Sequence, residues 1–189
     1  PKEGGEMFAN LDKICKLIPE EPKPDKRYYA AWDPSTPQGE DDSLVGVRDH
    51  LGRQVQILKV SRKLWKHQTE LVADLCKRYN NAHLAILKTA VGEQLPERMV
   101  ELGVRVDAIH ETNELKAEMV MHLALLFEHE SILLLDEPFQ AEQLRLYRAR
   151  VLPQSGKIAY GAPKHKHDDY VSMLLALYRN FNEPSTVLP

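Results

Sequence analysis

The segment HDDYVSMLLALY, His167 to Tyr178, sets two adjacent carboxylates, Asp168 and Asp169, at the head of an apolar stripe of Val171, Leu174, Leu175 and Tyr178. The stripe has helical spacing, and neighbouring helix positions point about 100° apart, so the two acids do not both serve one cap. The plain structural reading gives Asp168 the cap and leaves Asp169 in solvent. A chemical reading needs another carboxylate to converge on the pair. Asp33 is the natural partner, because it ends RYYAAWD, a strand of aromatic and small residues, and a strand end is a rigid mount for a ligand. Its plain alternative is a turn residue before Pro34. Carboxylates from a strand end and a helix start offer only oxygen, which suits Mg²⁺ or Mn²⁺ rather than zinc. His167, just ahead of the pair, is placed to hydrogen-bond a phosphate or a ligand carboxylate, or else is a solvated loop histidine.

Basic clusters accompany these acids. PKHKH (Pro163 to His167) runs directly into the pair, RKLWKH (Arg62 to His67) opens a helix, and Arg145, Arg148 and Arg150 are read on another helix. Such runs are usually solvated faces; the placement of Lys164 and Lys166 is what favours contact with a polyanion, through phosphates and hence tolerant of sequence. Trp32 and Trp65 are read as core rather than as stacking platforms. LLLDEP (Leu133 to Pro138) has the form of a Walker B strand, but GxxxxGK[ST] is absent, so nothing cradles a nucleotide. Asp136 and Glu137 are therefore read as a helix start, with Glu137 favourable at the positive end of the helix dipole.

The elements that must position these groups follow from periodicity. Phe8, Leu11, Ile14 with Cys15, and Ile18 predict a helix over 6–18, and PEEPKPDK after it reads as a tether. RYYAAWD is a strand, PSTPQGEDD a loop, and SLVGVRDHLGRQVQILKV two strands around a turn at His50 to Gly52, giving a three-strand meander. Leu64, Gln68, Leu71, Val72, Leu75 and Tyr79 then form one helical face. HLAILK is a strand, TAVGEQLPERMVELG a short helix ending at Gly103, and the stretch from Val104 to Ile109 another strand. Helices are predicted over 114–128, 139–150 and 169–180, with VLPQSGKIAY a small hairpin turning at Gln154 to Gly156. This order fits an α/β domain with one mixed central sheet, three antiparallel strands then parallel ones, flanked by helices.

Composition narrows the rest. With 189 residues, 43% hydrophobic and 28% charged, the chain can bury one substantial core, which excludes disorder and collagen. Lys+Arg 25 against Asp+Glu 28 gives a net charge of −3, so a polyanion must be held by local patches. Cys15 and Cys76 lie in helical patterns without a CxxC, which points to a reducing compartment and unreactive thiols. No apolar run approaches the roughly 20 residues of a membrane helix, and PKEGGEMF lacks the form of a signal peptide. The start at Pro1 suggests a processed product or a piece of something longer.

The motifs together resemble the nuclease domain of tailed-phage large terminases. WDPSTPQGEDDSLVGV resembles the first motif, AILKTAVGEQLPERM the second, ELKAEMVMHLALLFEHESILLL with FQAEQL the helical stretch after it, and HDDYVSMLLAL the third. The resemblance covers nearly the whole chain and implies an RNase H-like, RuvC-type fold over 27–189, with 1–26 as a helix and proline-rich tether from the boundary with a preceding packaging ATPase. It implies metal-dependent cleavage of double-stranded DNA during genome packaging. Asp33 would bridge two Mg²⁺ or Mn²⁺ ions, Asp168 would be a main ligand and Asp169 would assist. Two ions about 4 Å apart orient water and stabilise the leaving oxygen of an in-line attack. The resemblance also implies DNA contacts from Lys164, Lys166, His167, Lys116 and Lys88, partners in the ATPase domain, small terminase subunit and portal, no membrane, and a place in the cytoplasm of the infected bacterial host.

One departure matters. The second motif normally offers an acid near the end of the fourth strand, where this chain has Leu87 and Lys88. Either another acid compensates, with Asp42 and Glu93 nearest by motif position, or the metal site is weak, or the chain is an impaired nuclease that holds DNA or serves assembly. Lys88 replacing one cation electrostatically is a further option. Another RuvC-like nuclease, such as a junction resolvase, is the alternative among enzymes; the hairpin around Gln154 to Tyr160 and the third motif favour the terminase.

Overall fold

The structure, a computed structural model, describes residues 6–88 and 93–182. Its centre is a five-stranded sheet in the order β4 (Gln54–Lys59), β3 (Leu44–Asp49), β2 (Tyr28–Asp33), β5 (His83–Leu87), β6 (Val106–Ile109). The pairs β2–β3 and β3–β4 are antiparallel, and β2–β5 and β5–β6 are parallel. The mixed sheet predicted from the alternation of strands and helices therefore forms. Its central strands read as nearly continuous apolar runs because helices cover both faces. On β2, Trp32 and Ala30 point to a core with Val45, Val47 and Ile86, closed by Val72 and Leu75 of α2 (Trp65–Arg78) and Met99 of α3 (Leu95–Glu101). Ala31 points the other way, with Leu44, Leu87 and Ile109, into a core closed by α4 (Asn113–Glu128) and α6 (Asp169–Tyr178).

Helix α6 is apolar on every side because it is buried on every side; every residue from Asp169 to Tyr178 except Ser172 is buried. Two features of β3 fix it. Gly46 faces it so closely that a Cβ would overlap the Met173 sulfur. Arg48, buried between the rings of Tyr29, Tyr178 and Phe181, donates from Nε to the Leu177 carbonyl at 2.7 Å, placing a cation at the negative end of the helix. On the opposite face, Trp32 Nε1 donates to Ser43 Oγ at 3.0 Å, and Ser43 Oγ donates to Gln68 Oε1 at 2.8 Å. Gln68 in turn donates to the Lys63 carbonyl at 2.7 Å, so α2 is tied to the strand start that follows the Pro34–Asp42 loop.

Four sequence expectations are corrected. The helix predicted over 6–18 is only α1 (Leu11–Ile14); Phe8, Leu11 and Ile14 are buried, but Cys15–Leu17 forms β1, parallel to β7 (Leu134–Leu135), and Ile18 is exposed. Backbone pairing with LLL outweighs the helical spacing there. The helix over 139–150 stops as α5 (Pro138–Leu146), because Tyr147 is extended and Arg148–Val151 becomes β8, paired with β9 (Ile158–Gly161). Arg148 and Arg150 are thus strand residues and do not share a helical face with Arg145. Leu64 and Leu71 are exposed, and α2 buries Gln68, Thr69, Val72, Ala73, Leu75 and Cys76. Trp32 is fully buried and Trp65 packs at the edge of the same core. Burial pushes the thiols of Cys15 and Cys76 up to about 11 and about 12, where both are inert as nucleophiles at neutral pH.

Replacing Gly46 with Ala forces α6 away from β3, and overpacking of this kind costs about 1–3 kcal/mol. The variant should melt several degrees below the wild type, at about 2–4 °C per kcal/mol for a chain of this size. An unchanged midpoint in thermal unfolding would show that α6 is not held tightly there.

Candidate metal centre

The parallel strands β2, β5 and β6 all end at one edge of the sheet. The register pairs Trp32 with Ile86 and Ile86 with Ala108, so their C-terminal ends are level. Alternation then puts Asp33, Leu87 and Ile109 on the face that α6 covers. The Asp33 carboxylate makes no hydrogen bond or ion pair among the described residues. Burial, and then the charges of Asp169, Glu111, Asp168 and Asp41, push its carboxyl well above the usual carboxylate range.

The start of α6 faces Asp33 across this edge. Asp168 occupies the N-cap position without making the cap bond. Instead, its Oδ2 accepts from the Ala162 N–H at 3.2 Å. Gly161 permits this approach: a Cβ there would lie 3.1 Å from the same oxygen. Asp169 is 8% exposed, and its Oδ2 accepts from the Asp42 N–H at 3.0 Å. Burial is the main cause that raises its pKa to about 6, against the lowering effect of the Asp42 N–H. The plain reading of the pair is therefore reversed: Asp168 does not cap, and Asp169 is not in solvent.

His167 and Asp41 complete this side. Nδ1 of His167 lies 3.1 Å from Asp41 Oδ1, and ligand atoms of Asp41, His167 and Asp169 all lie within 4.8 Å of one another. Asp41 belongs to the acidic stretch of the Pro34–Asp42 loop and was not singled out by sequence; only the folding of that loop against α6 brings it here.

The compensating acids fare differently. Asp42 turns its carboxylate outward to Lys59 Nζ at 2.9 Å and Ser61 Oγ at 3.1 Å, and only its backbone serves the site. Glu93 is exposed ahead of α3, and the segment 89–92 of the second motif lies outside the described residues. Leu87 is buried in the apolar core. Lys88 is half-buried, with its N–H on the Ile109 carbonyl at 2.8 Å. Lys164 and Lys166 are exposed in the loop that leads into α6, and Lys116 is half-buried in the first turn of α4. Sequence reasoning passed over Glu111, at the rim two residues beyond the end of β6, and Tyr147, whose buried hydroxyl has no partner among the described residues. The position of Glu111 at the end of a strand parallel to that of Asp33 was the signal available.

The whole fold has solved counterparts. The large terminase nuclease from thermophilic phage G20c matches with a TM-score of 0.85 at 22% identity, covering 94% of this chain and 99% of that one. The large terminase nuclease domain of Thermus phage P74-26 matches at 0.80 and 22%, covering 92% and 94%. The P22 large terminase nuclease domain matches at 0.63 and 16%, covering 95% and 94%. The G20c nuclease is also known with bound magnesium and with bound cobalt. No family model and no curated protein matches the sequence. At these identities the likeness shows the fold, which is RNase H-like.

The raised carboxyls have a measurable consequence. Folding favours the protonated forms of Asp33 and Asp169, so in metal-free protein their ionisation costs stability as the pH rises above the ordinary value near about 4. Asp33→Asn removes that cost and should raise the melting temperature in EDTA at neutral pH, with the gain shrinking as the pH falls towards about 4. A variant that melts at or below the wild type at neutral pH would show that Asp33 is not under this strain.

Proposed function

We propose that this chain is a divalent-metal-dependent nuclease that hydrolyses phosphodiester bonds of double-stranded DNA, as the nuclease part of a phage packaging terminase. The observation that carries the reading is Asp33: a strand-end carboxylate, desolvated and without a partner among the described residues, set against Asp168 and Asp169. Fixed carboxylates crowded at low solvation are unfavourable alone and fit a hard divalent cation with oxygen ligands. The likeness to terminase nucleases, one of them known with magnesium and cobalt, supports the same reading.

In this reading Asp33 and Asp168 hold Mg²⁺ or Mn²⁺, and Asp169 assists from the oxygen not taken by the Asp42 N–H. The metal ions, when bound, supply activation of a water and stabilisation of the leaving oxygen. The chain's own part is positioning. The Ala162 N–H orients Asp168, the Asp42 N–H orients Asp169, and His167 is held by Asp41 beside the pair. Lys164 and Lys166, exposed on the loop that ends at Asp168, take DNA phosphates, with Lys88 and Lys116 nearer the sheet edge. The packaging ATPase domain, small terminase subunit and portal are the partners that go with this role, in the cytoplasm of an infected bacterium. Among the described residues no helix is long and apolar enough to cross a membrane. One observation favours a second reading, a nuclease-impaired module that holds DNA: the buried Leu87 at the position of the second acid.

Nicking of supercoiled plasmid separates the two readings. Cleavage with Mn²⁺ or Mg²⁺ that EDTA and Asp168→Ala both abolish is the expected result; intact plasmid with folded protein would favour the binding module. In a DNA-binding titration, replacing both Lys164 and Lys166 with Ala should weaken affinity evenly across sequences. It should also reduce the salt slope by about one for each phosphate that is no longer neutralised. An unchanged slope would remove this loop from the DNA interface.

A further inference from the structure

We infer that Glu111 supplies the carboxylate missing from the second motif, acting from the neighbouring strand as a metal ligand with Asp33 and Asp168. The inference rests on the metal-dependent nuclease reading and specifies how the site is completed.

Register makes the transfer feasible. Leu87 pairs with Ile109, and Lys88 N–H donates to the Ile109 carbonyl at 2.8 Å, so β5 and β6 reach the sheet edge together. Adjacent strands lie about 4.8 Å apart, so an acid moved from the end of β5 to the end of β6 starts one strand spacing further from Asp33. Glu111 sits two residues past Ile109, just beyond the end of the strand, and it carries one methylene more than aspartate. Both differences extend its reach over Leu87. Its backbone is anchored as well. The next residue, Thr112, caps α4 by accepting the Leu115 N–H at 3.1 Å, and the Thr112 carbonyl accepts the Lys116 N–H at 2.9 Å. Glu111 therefore stands on a fixed turn between a strand and a capped helix.

The charge of Glu111 is felt within the site. Although Glu111 is exposed at the rim, its charge bears on Asp33 of β2 and on Tyr147 at the α5–β8 junction, and Asp168 of α6 bears on it. Burial raises the pKa of Glu111, against the lowering effect of Lys116, one turn into α4.

Tyr147 is the independent observation. It is fully buried, packed against Phe8, and its hydroxyl is the only buried side-chain polar atom without a partner among the described residues. Burial raises the hydroxyl's pKa far above the ordinary tyrosine value, and Asp168 and Glu111 add to the effect, so it remains a neutral donor. A buried hydroxyl left open within range of the charges of two carboxylates marks room for a polar partner, and a water whose oxygen was held by a cation would turn its hydrogens outward and donate to the Tyr147 oxygen.

The test is Mn²⁺ binding by calorimetry, run beside plasmid nicking, on the wild type, Glu111→Gln, Asp168→Asn and Glu118→Gln, an exposed acid further along α4. Glu111→Gln is expected to weaken Mn²⁺ by about tenfold or more and to suppress nicking as Asp168→Asn does, with Glu118→Gln at wild-type levels. Thermal unfolding in EDTA confirms that each variant is folded. If Asp168→Asn loses metal and Glu111→Gln keeps wild-type affinity, the inference is overturned while the nuclease reading stands. If the wild type binds no Mn²⁺, both fall. In the Glu111→Gln background, Leu87→Glu is expected to restore binding, because it returns a carboxylate to the strand end next to Asp33.

Discussion

The withdrawal of carboxylates from water at one sheet edge is the constraint on which the rest of this arrangement depends. Asp33 is desolvated without a compensating donor among the described residues, and Asp169 is buried behind it. Such a cluster persists only when the surrounding structure over-determines it, since each group would gain by moving into water. The strain is therefore borne by elements far from the acids. Asp33 cannot retreat because its strand is the centre of the sheet, paired with β3 on one side and β5 on the other. The α6 acids cannot retreat because the helix that carries them is enclosed for its whole length.

The enclosure of α6 explains several choices that have no chemistry of their own. A helix apolar on all sides is held by packing alone and could slide along its axis; the Arg48 bond to the Leu177 carbonyl and the absence of a side chain at Gly46 set its height and depth. At the other end, the hairpin β8–β9 approaches through Gly161 and the Ala162 N–H, which fixes the Asp168 carboxylate itself. The N-cap position is thereby diverted from its usual work. A helix start normally spends its first side chain on its own N–H groups, and here that oxygen is turned to a neighbouring loop instead. Giving up a cap costs roughly 1 kcal/mol, which is tolerable in a helix whose stability comes from burial.

The sheet, its order and the helices around it were legible because their patterns are strong: short apolar runs bounded by turn residues at Tyr28–Asp33 and Leu44–Asp49, and apolar spacing over Trp65–Arg78 and Asn113–Glu128. The misread elements are those where a partner distant in sequence overrides local pattern. Cys15–Leu17 pairs with Leu134–Leu135, and Arg148–Val151 with Ile158–Gly161, and neither partner shows in a window of helical period. The site divides in the same way. Asp33, Asp168 and Asp169 announce themselves at the ends of strong elements. Asp41 lies within a loop rich in acids, and its pairing with His167 depends on how that loop folds against α6. Glu111, proposed as a ligand, stands off motif position: it follows the end of β6, the strand beside β5 in the sheet.

A fold of this kind could hold a metal without the motif residue if another acid stands on the same row of strand ends. What a divalent cation requires is a number of oxygen ligands at suitable distance, not a particular strand as their source. In a parallel sheet the strand ends form a row, and side chains on one face of that row are near-equivalent mounts separated by one strand spacing of about 4.8 Å. Leu87 can therefore be given to the core, where it packs with Ile109 and Ala31, if a longer acid is available one place along the row. In the proposed arrangement negative charge would move outward to the rim, where burial raises the pKa of the Glu111 carboxyl and Lys116 opposes that effect. A carboxylate at the rim costs less to ionise than one buried beside Asp33, so a site completed from Glu111 would carry less of its charge in the interior than a site with all its acids on β2, β5 and α6.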